Sequence, residues 1–187
     1  MSAKTPGEEL KEKLLYTPKN LSEKMTPEEK DAAEAFSVPY KEFLDRAKTE
    51  REAVAVMVEM LEGAGYRPFV PGTSYPAGSK VYLNNRGKAL IASTIGTLDI
   101  GEGVRIEAAH IDNPRLDLKP NPLVEEQELC YLKTHYYGGI KKYQWTAIPL
   151  SLHGVVVKKD GSSVTVTIGE DPADPVFCVT DLLPHLG

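Results

Sequence analysis

Hydrophobic residues follow a helical spacing in the first third of the chain and a strand-like alternation after it. Residues 26–29 have the composition of a helix start, with Thr26 as the cap, Pro27 in the first turn and Glu29 three residues after the cap. Pro39 is expected to break or kink this helix, because proline has no N–H group to donate. Beyond it the spacing predicts an amphipathic helix that ends at residue 63 or 65, with these apolar positions: Tyr40, Phe43, Leu44, Ala47, Val54, Met57, Val58 and Leu61.

Strand-like alternation begins after a loop predicted for residues 66–79, which contain three prolines and two glycines. Two hairpins are predicted, because turn-forming residues separate two apolar runs in each case: residues 81–83 with 88–94, and 150–157 with 164–168. Residues 104–110 alternate so that Val104, Ile106, Ala108 and His110 share one face, which predicts a strand with that face in the core. A further strand is predicted for residues 176–180.

These patterns predict an α/β part followed by a β-rich part, with the boundary near Pro114. No helix of convincing length is predicted after His110. Residues 1–25 are polar and are expected to form an extended or partly helical arm. The β-rich part, about 70 residues, is small for an independently stable unit, which suggests that the chain ends within a domain.

Composition narrows the class of protein. The chain has 187 residues, of which 41% are hydrophobic and 26% charged, as in ordinary globular proteins. A net charge of −5 argues against general binding to nucleic acid, and no apolar run is long enough for a membrane span. The two cysteines, Cys130 and Cys178, match neither a disulfide framework nor a zinc-ligand spacing, so reduced thiols in the cytoplasm are expected.

Candidate chemistry is concentrated at the end of the predicted strand 104–110. His110 and Asp112 are two residues apart, so in a strand both side chains project from the same face. A carboxylate beside an imidazole is a recurring arrangement at metal sites, where it orients the ring. By itself the pair is weak evidence, because a lone histidine is more often structural. The other histidines, His135 and His153, are expected to pack within strands or loops.

A longer set of motifs resembles one family. Residues 109–117 (Ala-His-Ile-Asp-Asn-Pro-Arg-Leu-Asp) and residues 133–140 (Lys-Thr-His-Tyr-Tyr-Gly-Gly-Ile) resemble the aspartyl aminopeptidase family of zinc metallopeptidases. The similarity runs from about Phe36 to the end, where a Leu-Pro-His-Leu motif contains His185, and it covers roughly the first two-fifths of a family member.

The resemblance implies a fold, a cofactor and residue roles. It implies that residues 1–114 are the N-terminal part of a catalytic zinc-peptidase α/β domain, and that residues 115–187 are part of an inserted β-rich dimerisation domain. His110 matches the first ligand of a two-zinc site and Asp112 the catalytic carboxylate that orients it. His185 matches a position near the family's subunit contact, where a role in subunit contact or in substrate binding is expected. The family's other metal ligands and its general base follow the inserted domain, beyond residue 187.

Two differences from the family concern specificity. The glycine-rich loop has two glycines instead of three and is not followed by an Asp-Arg pair, and Asn113 stands where many members have serine. The chain therefore resembles a divergent, prokaryotic-type branch, for which a preference for acidic N-terminal residues is not assumed.

The expected function is that of an N-terminal fragment of a dinuclear-zinc aminopeptidase that acts on peptides in the cytoplasm. The fragment alone is expected to be inactive, and homo-oligomers are expected to form through the β-rich domain. The alternative is a non-catalytic assembly or binding module, suggested by the missing ligands, the aromatic loop and the acidic cluster of Glu125, Glu126 and Glu128.

Overall fold

The computed structural model describes residues 4–16 and 18–182. By its backbone contacts the chain divides into two compact units, Met1–Glu42 and Phe43–Gly187. The predicted boundary near Pro114 is a different division, between a catalytic and a β-rich part, and it stays a prediction. None of the helices in the described residues combines the length and apolar composition needed to cross a lipid bilayer.

The first unit is helical. Helix α1 (Pro6–Leu14) starts at Thr5, whose hydroxyl accepts a hydrogen bond from the backbone N–H of Glu8. A 3₁₀ turn follows at Leu21–Glu23, so the described residues of the predicted extended or partly helical arm include two helical stretches. Helix α2 (Pro27–Arg46) starts where the sequence predicts, with Thr26 and Glu29 exchanging the hydrogen bonds of a capping box.

Two predictions about these helices need correction. A break or kink was expected at Pro39, but helix α2 does not break there and continues to Arg46. The predicted second helix is interrupted at residues 47–49, and helix α3 (Glu50–Gly63) begins afresh. Thr49 and Glu52 form a capping box there, so the local hydrogen bonds start a new helix in the middle of an apolar spacing that continues. The predicted end at Gly63 is confirmed.

Helix α3 packs on a small sheet in which β1 (Arg67–Pro68) pairs in parallel with β2 (Lys80–Asn85), and β2 pairs in antiparallel fashion with β3 (Ala89–Thr94). The first predicted hairpin is thereby confirmed. Val54 is the most deeply buried of the large side chains, at 1% exposure, and the hydroxyl of Tyr82 donates to Glu62 at 2.6 Å. This core holds the start and end of α3 in fixed positions relative to the sheet. Its buried residues are Ala47, Ala53, Val54, Val56, Val81 and Tyr82.

The second half contains two separate hairpins. Strands β4 (Arg115–Glu126) and β5 (Leu129–Tyr137) pair with an irregularity between Leu118 and Leu123. Strands β6 (Leu152–Val157) and β7 (Ser163–Ile168) form the second predicted hairpin, which is confirmed. The β4–β5 pairing was not predicted.

Two predicted strands are absent from the described residues. Residues 103–114 carry no regular secondary structure, and Val104 and Ile106 are 61% and 79% exposed. A strand needs a neighbour for its backbone hydrogen bonds, and no strand of residues 4–16 or 18–182 pairs with this segment. Residues 176–180 make only isolated bridges, one from Phe177 to Leu150 and one from Val179 to Thr146.

Candidate metal site

His110 and Asp112 lie close together in the extended segment before β4. Nδ1 of His110 lies 2.9 Å from the backbone oxygen of Asp112 and 3.1 Å from its carboxylate oxygen Oδ1. Both neighbours are acceptors, so in the neutral imidazole Nδ1 carries the proton and Nε2 keeps its lone pair. The side chain of His110 is 81% exposed. The imidazole therefore presents a free nitrogen donor at the surface, as a metal ligand requires.

Tyr137, the last residue of β5, holds the other oxygen of the same carboxylate. Its hydroxyl donates a hydrogen bond of 2.7 Å to Oδ2 of Asp112. This bond is the main reason that the pKa of Asp112 lies below its usual value, with further help from a backbone N–H and from His110. In return, the carboxylate raises the pKa of the Tyr137 hydroxyl. Asp112 is therefore held as an anion with each oxygen directed to a different partner.

Arg115 packs against the aromatic ring of Tyr137. Its guanidinium carbon lies 4.0 Å from the centre of the Tyr137 ring, a cation–π distance. The same guanidinium pairs with Glu50 at 2.9 Å and with Asp117 at 2.7 Å. Partial burial acts to lower the pKa of Arg115, but the two carboxylates outweigh it and the pKa is raised. The start of helix α3 is thus linked through Arg115 to the tyrosine at the site.

The pair borders a groove of about 660 Å³. It is lined by apolar side chains of α3 and β3 and by residues of the extended segment, namely Glu107, Ala109, His110, Ile111 and Asp112. The apolar lining consists mainly of Met57, Met60, Leu61, Ala89, Leu90 and Ala92.

The described residues do not assemble a complete set of metal ligands. A catalytic zinc ion needs about three protein ligands, whereas residues 4–16 and 18–182 contain no group of three or more histidine, cysteine, aspartate or glutamate side chains that could hold a metal. The two oxygens of Asp112 are each in hydrogen-bond contact with a side chain, Oδ1 with His110 and Oδ2 with Tyr137. His185 lies outside the described residues.

Two features of the site were missed by sequence reasoning. Tyr137 belongs to the Tyr-Gly-Gly motif, which served only to establish the resemblance, and Arg115 belongs to the Pro-Arg-Leu-Asp motif. The sequence contained a signal for both residues, because each lies in one of the two motifs that carry the family resemblance. In the structure these motifs meet where Arg115 pairs with Tyr137 in the β4–β5 ladder.

Another cluster in the same unit surrounds His153, whose side chain is only 11% exposed. Its Nδ1 lies 2.8 Å from Oε1 of Glu52, and its Nε2 lies 2.9 Å from Oε1 of Glu170. With a carboxylate at each nitrogen, the ring has no lone pair to offer a metal. His135 is exposed on β5. The Nδ1 of His135 lies 3.1 Å from the backbone oxygen of Tyr136. Of the three histidines in the described residues, His110 differs in having a carboxylate oxygen as well as a backbone oxygen at Nδ1.

Comparison with known proteins identifies relatives of this chain. Residues 43–187 match the model of the aminopeptidase I zinc metalloprotease (M18) family. A probable M18 family aminopeptidase 1 of Clostridium acetobutylicum is 50% identical over 165 residues, which cover 85% of this chain and 36% of that protein. The corresponding protein of Thermotoga maritima is 48% identical over 157 residues, which cover 84% of this chain and 35% of that protein.

Solved structures agree with these relatives. The crystal structure of the M18 aminopeptidase from Thermotoga maritima superposes with a TM-score of 0.80 at 45% identity, covering 92% of this chain and 37% of that one. Aminopeptidase I from Borrelia burgdorferi B31 gives a TM-score of 0.82 at 40% identity, covering 89% and 41%. The mixed α/β fold class is thereby confirmed, and the chain spans little more than a third of the length of the relatives it matches. On the family match and these identities, the chain belongs to the aminopeptidase I zinc metalloprotease (M18) family.

Proposed function

We propose that this chain is the N-terminal part of a dinuclear-zinc aminopeptidase that hydrolyses N-terminal residues from peptides. The observation that carries the proposal is the geometry of His110, whose Nδ1 is held by Asp112 while Nε2 stays free beside the groove. The family is described as a zinc metalloprotease, and the curated relatives are named aminopeptidases.

Within this proposal His110 is a zinc ligand through Nε2 and Asp112 is the carboxylate that orients its ring. A bound pair of zinc ions would supply Lewis-acid chemistry, namely polarisation of the peptide carbonyl and activation of a water molecule. The remaining ligands and the general base are proposed to come from the roughly two-thirds of the relatives' length that this chain does not span. The 187-residue chain alone is therefore proposed to be inactive.

A chimera tests the proposal. In it, this chain replaces the matched third of the Clostridium acetobutylicum aminopeptidase, to which it is 50% identical. We expect the chimera to bind zinc and to cleave aminoacyl p-nitroanilides, because the ligand would stand in its family position. His110→Ala should abolish cleavage and reduce the zinc content, whereas the control His135→Ala, at an exposed histidine of β5, should change neither. Full activity of His110→Ala would refute the proposed role of His110.

The second candidate function is a non-catalytic assembly or binding module. It is favoured by the lack of a three-ligand metal group in the described residues and by large exposed apolar side chains on β4–β7. These include Leu123, Leu129, Tyr131, Val156 and Val157, which are between 47% and 69% exposed. Tight stoichiometric zinc binding by the 187-residue chain would exclude this candidate.

We further propose that the exposed apolar surface of β4–β7 supports homo-oligomers, and that a boundary near Pro114 separates the catalytic part from this dimerisation part. Strand β4 begins directly after Pro114, which supports the placement. Light scattering across a dilution series tests the first point, since Val156→Lys should lower the mass of any oligomer held by this surface. A reducing compartment such as the cytoplasm suits Cys130 and Cys178, which are both free and exposed.

A further inference from the structure

Three side chains form a continuous hydrogen-bonded series across the candidate site. The Tyr137 hydroxyl donates to Oδ2 of Asp112 at 2.7 Å, and Oδ1 of the same carboxylate lies 3.1 Å from Nδ1 of His110. We propose that Tyr137 is a positioning residue that fixes the Asp112 carboxylate, so that His110 keeps its proton on Nδ1 and offers Nε2 to a metal. This inference rests on the proposed role of His110 as a zinc ligand.

The segment that carries His110 and Asp112 cannot fix these side chains by itself. Residues 103–114 belong to no sheet, so no ladder of backbone hydrogen bonds holds them in the described part of the chain. The two side chains are 81% and 35% exposed. An exposed aspartate that contacts only an exposed histidine is free to leave its rotamer, since a single hydrogen bond at the surface has a small net free energy.

Tyr137, in contrast, is held by regular structure. It ends β5 and pairs with Arg115 at the start of β4. The guanidinium of Arg115 lies under the ring at 4.0 Å and is itself fixed by Glu50 and Asp117. The hydroxyl therefore stands at a defined point that is set by the β4–β5 hairpin and by helix α3.

The hydrogen bond from Tyr137 also decides which way the carboxylate faces. Tyr137 occupies Oδ2, which leaves Oδ1 as the acceptor for the imidazole. The backbone oxygen of Asp112 is a second acceptor for Nδ1, at 2.9 Å. Loss of Tyr137 should therefore weaken the preference for the Nδ1–H tautomer without abolishing it.

The tautomer of His110 can be measured in the metal-free 187-residue chain. Long-range ¹H–¹⁵N correlation spectra, recorded in alkaline buffer where histidines are neutral, distinguish Nδ1–H from Nε2–H rings. The His110 signals are assigned by their loss in His110→Ala. We expect the Nδ1–H form to dominate in the wild type. In Tyr137→Phe, the ratio of Nδ1–H to Nε2–H should fall by about fivefold, the factor that corresponds to one hydrogen bond of ordinary net strength.

The neighbouring tyrosine is a matched control. Tyr136 is 54% exposed and its ring contacts Lys142 at 4.5 Å. Tyr136→Phe deletes the same hydroxyl one residue away and should leave the His110 tautomer unchanged. The signals of His135 and His153 should stay unchanged in both variants, because a general disturbance of the fold would move them also. An unchanged His110 tautomer in Tyr137→Phe, or an equal change in Tyr136→Phe, would overturn the inference.

Asp112→Asn provides a second route if Tyr137→Phe does not fold. The Tyr137 hydroxyl can donate only to the amide oxygen of the new side chain, which turns the amide NH₂ towards Nδ1. The tautomer ratio of His110 should then shift towards Nε2–H, and a ratio equal to that of the wild type would contradict the role of Tyr137. These measurements use neither metal nor enzymatic activity, so their outcome is independent of the chimera experiment. The role of Tyr137 can be refuted while the chimera supports the proposed function, and it can be supported while the chimera refutes that function.

Discussion

His153 provides the sharpest test of the physical reasoning, because its imidazole joins helix α3 to the β6–β7 hairpin. One nitrogen faces Glu52 on α3 at 2.8 Å, and the other faces Glu170, two residues after β7, at 2.9 Å. Ser151 also contacts Nε2 at 3.0 Å. Burial acts to lower the pKa of His153, but the hydrogen bonds to the two carboxylates outweigh it and raise the pKa above its ordinary value of 6.5. The folded protein thus favours the imidazolium.

Removal of the ring should cost about 2 kcal/mol of unfolding free energy at pH 6. A hydrogen bond to a charged group contributes about 1.5–3 kcal/mol, and the lower end applies because the side chain of Glu170 is 44% exposed. Glu170 also keeps a hydrogen bond from Ser151, which is the main cause of its lowered pKa, ahead of His153 and the nearby charge of Lys48. Glu52 likewise keeps its capping bond to Thr49 in His153→Ala.

The pH dependence has a definite sign. The pKa of His153 is higher in the folded protein than in the unfolded chain, where it is about 6.5. The stabilisation by the protonated ring is therefore complete at a pH below the unfolded-state pKa, and it is lost as the pH rises through the folded-state pKa. The difference in unfolding free energy between wild type and His153→Ala should therefore shrink from about 2 kcal/mol at pH 6 to about 1 kcal/mol or less at pH 9, where one neutral hydrogen bond remains.

Urea unfolding, followed by circular dichroism and by the fluorescence of Trp145, the single tryptophan, measures this difference. His135→Ala is the control, since His135 is exposed and its ring nitrogen Nδ1 faces the backbone oxygen of the neighbouring Tyr136 and no carboxylate of the described residues. Its unfolding free energy should stay within about 0.5 kcal/mol of the wild type. A cost of His153→Ala that is equal at both pH values, or larger at pH 9, would refute the assignment of a cationic imidazole between two carboxylates.

Three further predictions concern helix start, backbone and metal. Thr49→Ala should lower the unfolding free energy by about 1 kcal/mol in urea titrations, because it removes the side-chain cap of α3; no loss would show that the cap is dispensable. Gly169→Ala should lower the unfolding free energy by about 1–3 kcal/mol more than Gly161→Ala. Both glycines have a positive φ (101° and 84°), but a Cβ at position 169 would lie 3.1 Å from Ser151, whereas the space at position 161 is open. Equal losses of unfolding free energy would contradict the contact with Ser151. Calorimetric titration of the 187-residue chain with zinc should show no tight stoichiometric binding, because residues 4–16 and 18–182 bring together no group of three possible ligands; tight binding of two equivalents would contradict this.

The fold was predictable wherever the determining interactions are local. The hairpins β2–β3 and β6–β7 follow from turn residues between two apolar runs, and the observed pairings agree. The β4–β5 hairpin was not predicted, and its first strand contains two prolines, Pro120 and Pro122. The structure accommodates both prolines in the irregular stretch between Leu118 and Leu123, where the ladder is interrupted. The strand predicted at residues 104–110 has the right alternation, but pairing depends on a neighbour that a local pattern does not reveal.

The site shows the same division between local and distant information. The approach of His110 to Asp112 follows from their spacing of two residues, which the sequence shows directly. Tyr137 is 25 residues away from Asp112, and Glu52 is 101 residues away from His153. Such contacts depend on how the hairpins and the helix pack, so neither residue could be assigned its partner from spacing alone.

The carboxylate of Glu52 has a consequence for how this fold can change in evolution. One oxygen closes the cap of helix α3 at Thr49, and the other binds His153 on a different element. Glutamine could keep the cap but would lose the ion pair, and aspartate is one methylene shorter, so few substitutions preserve both contacts. Changes at positions 49, 52 and 153 should therefore be epistatic, with the effect of each depending on the residues at the other two.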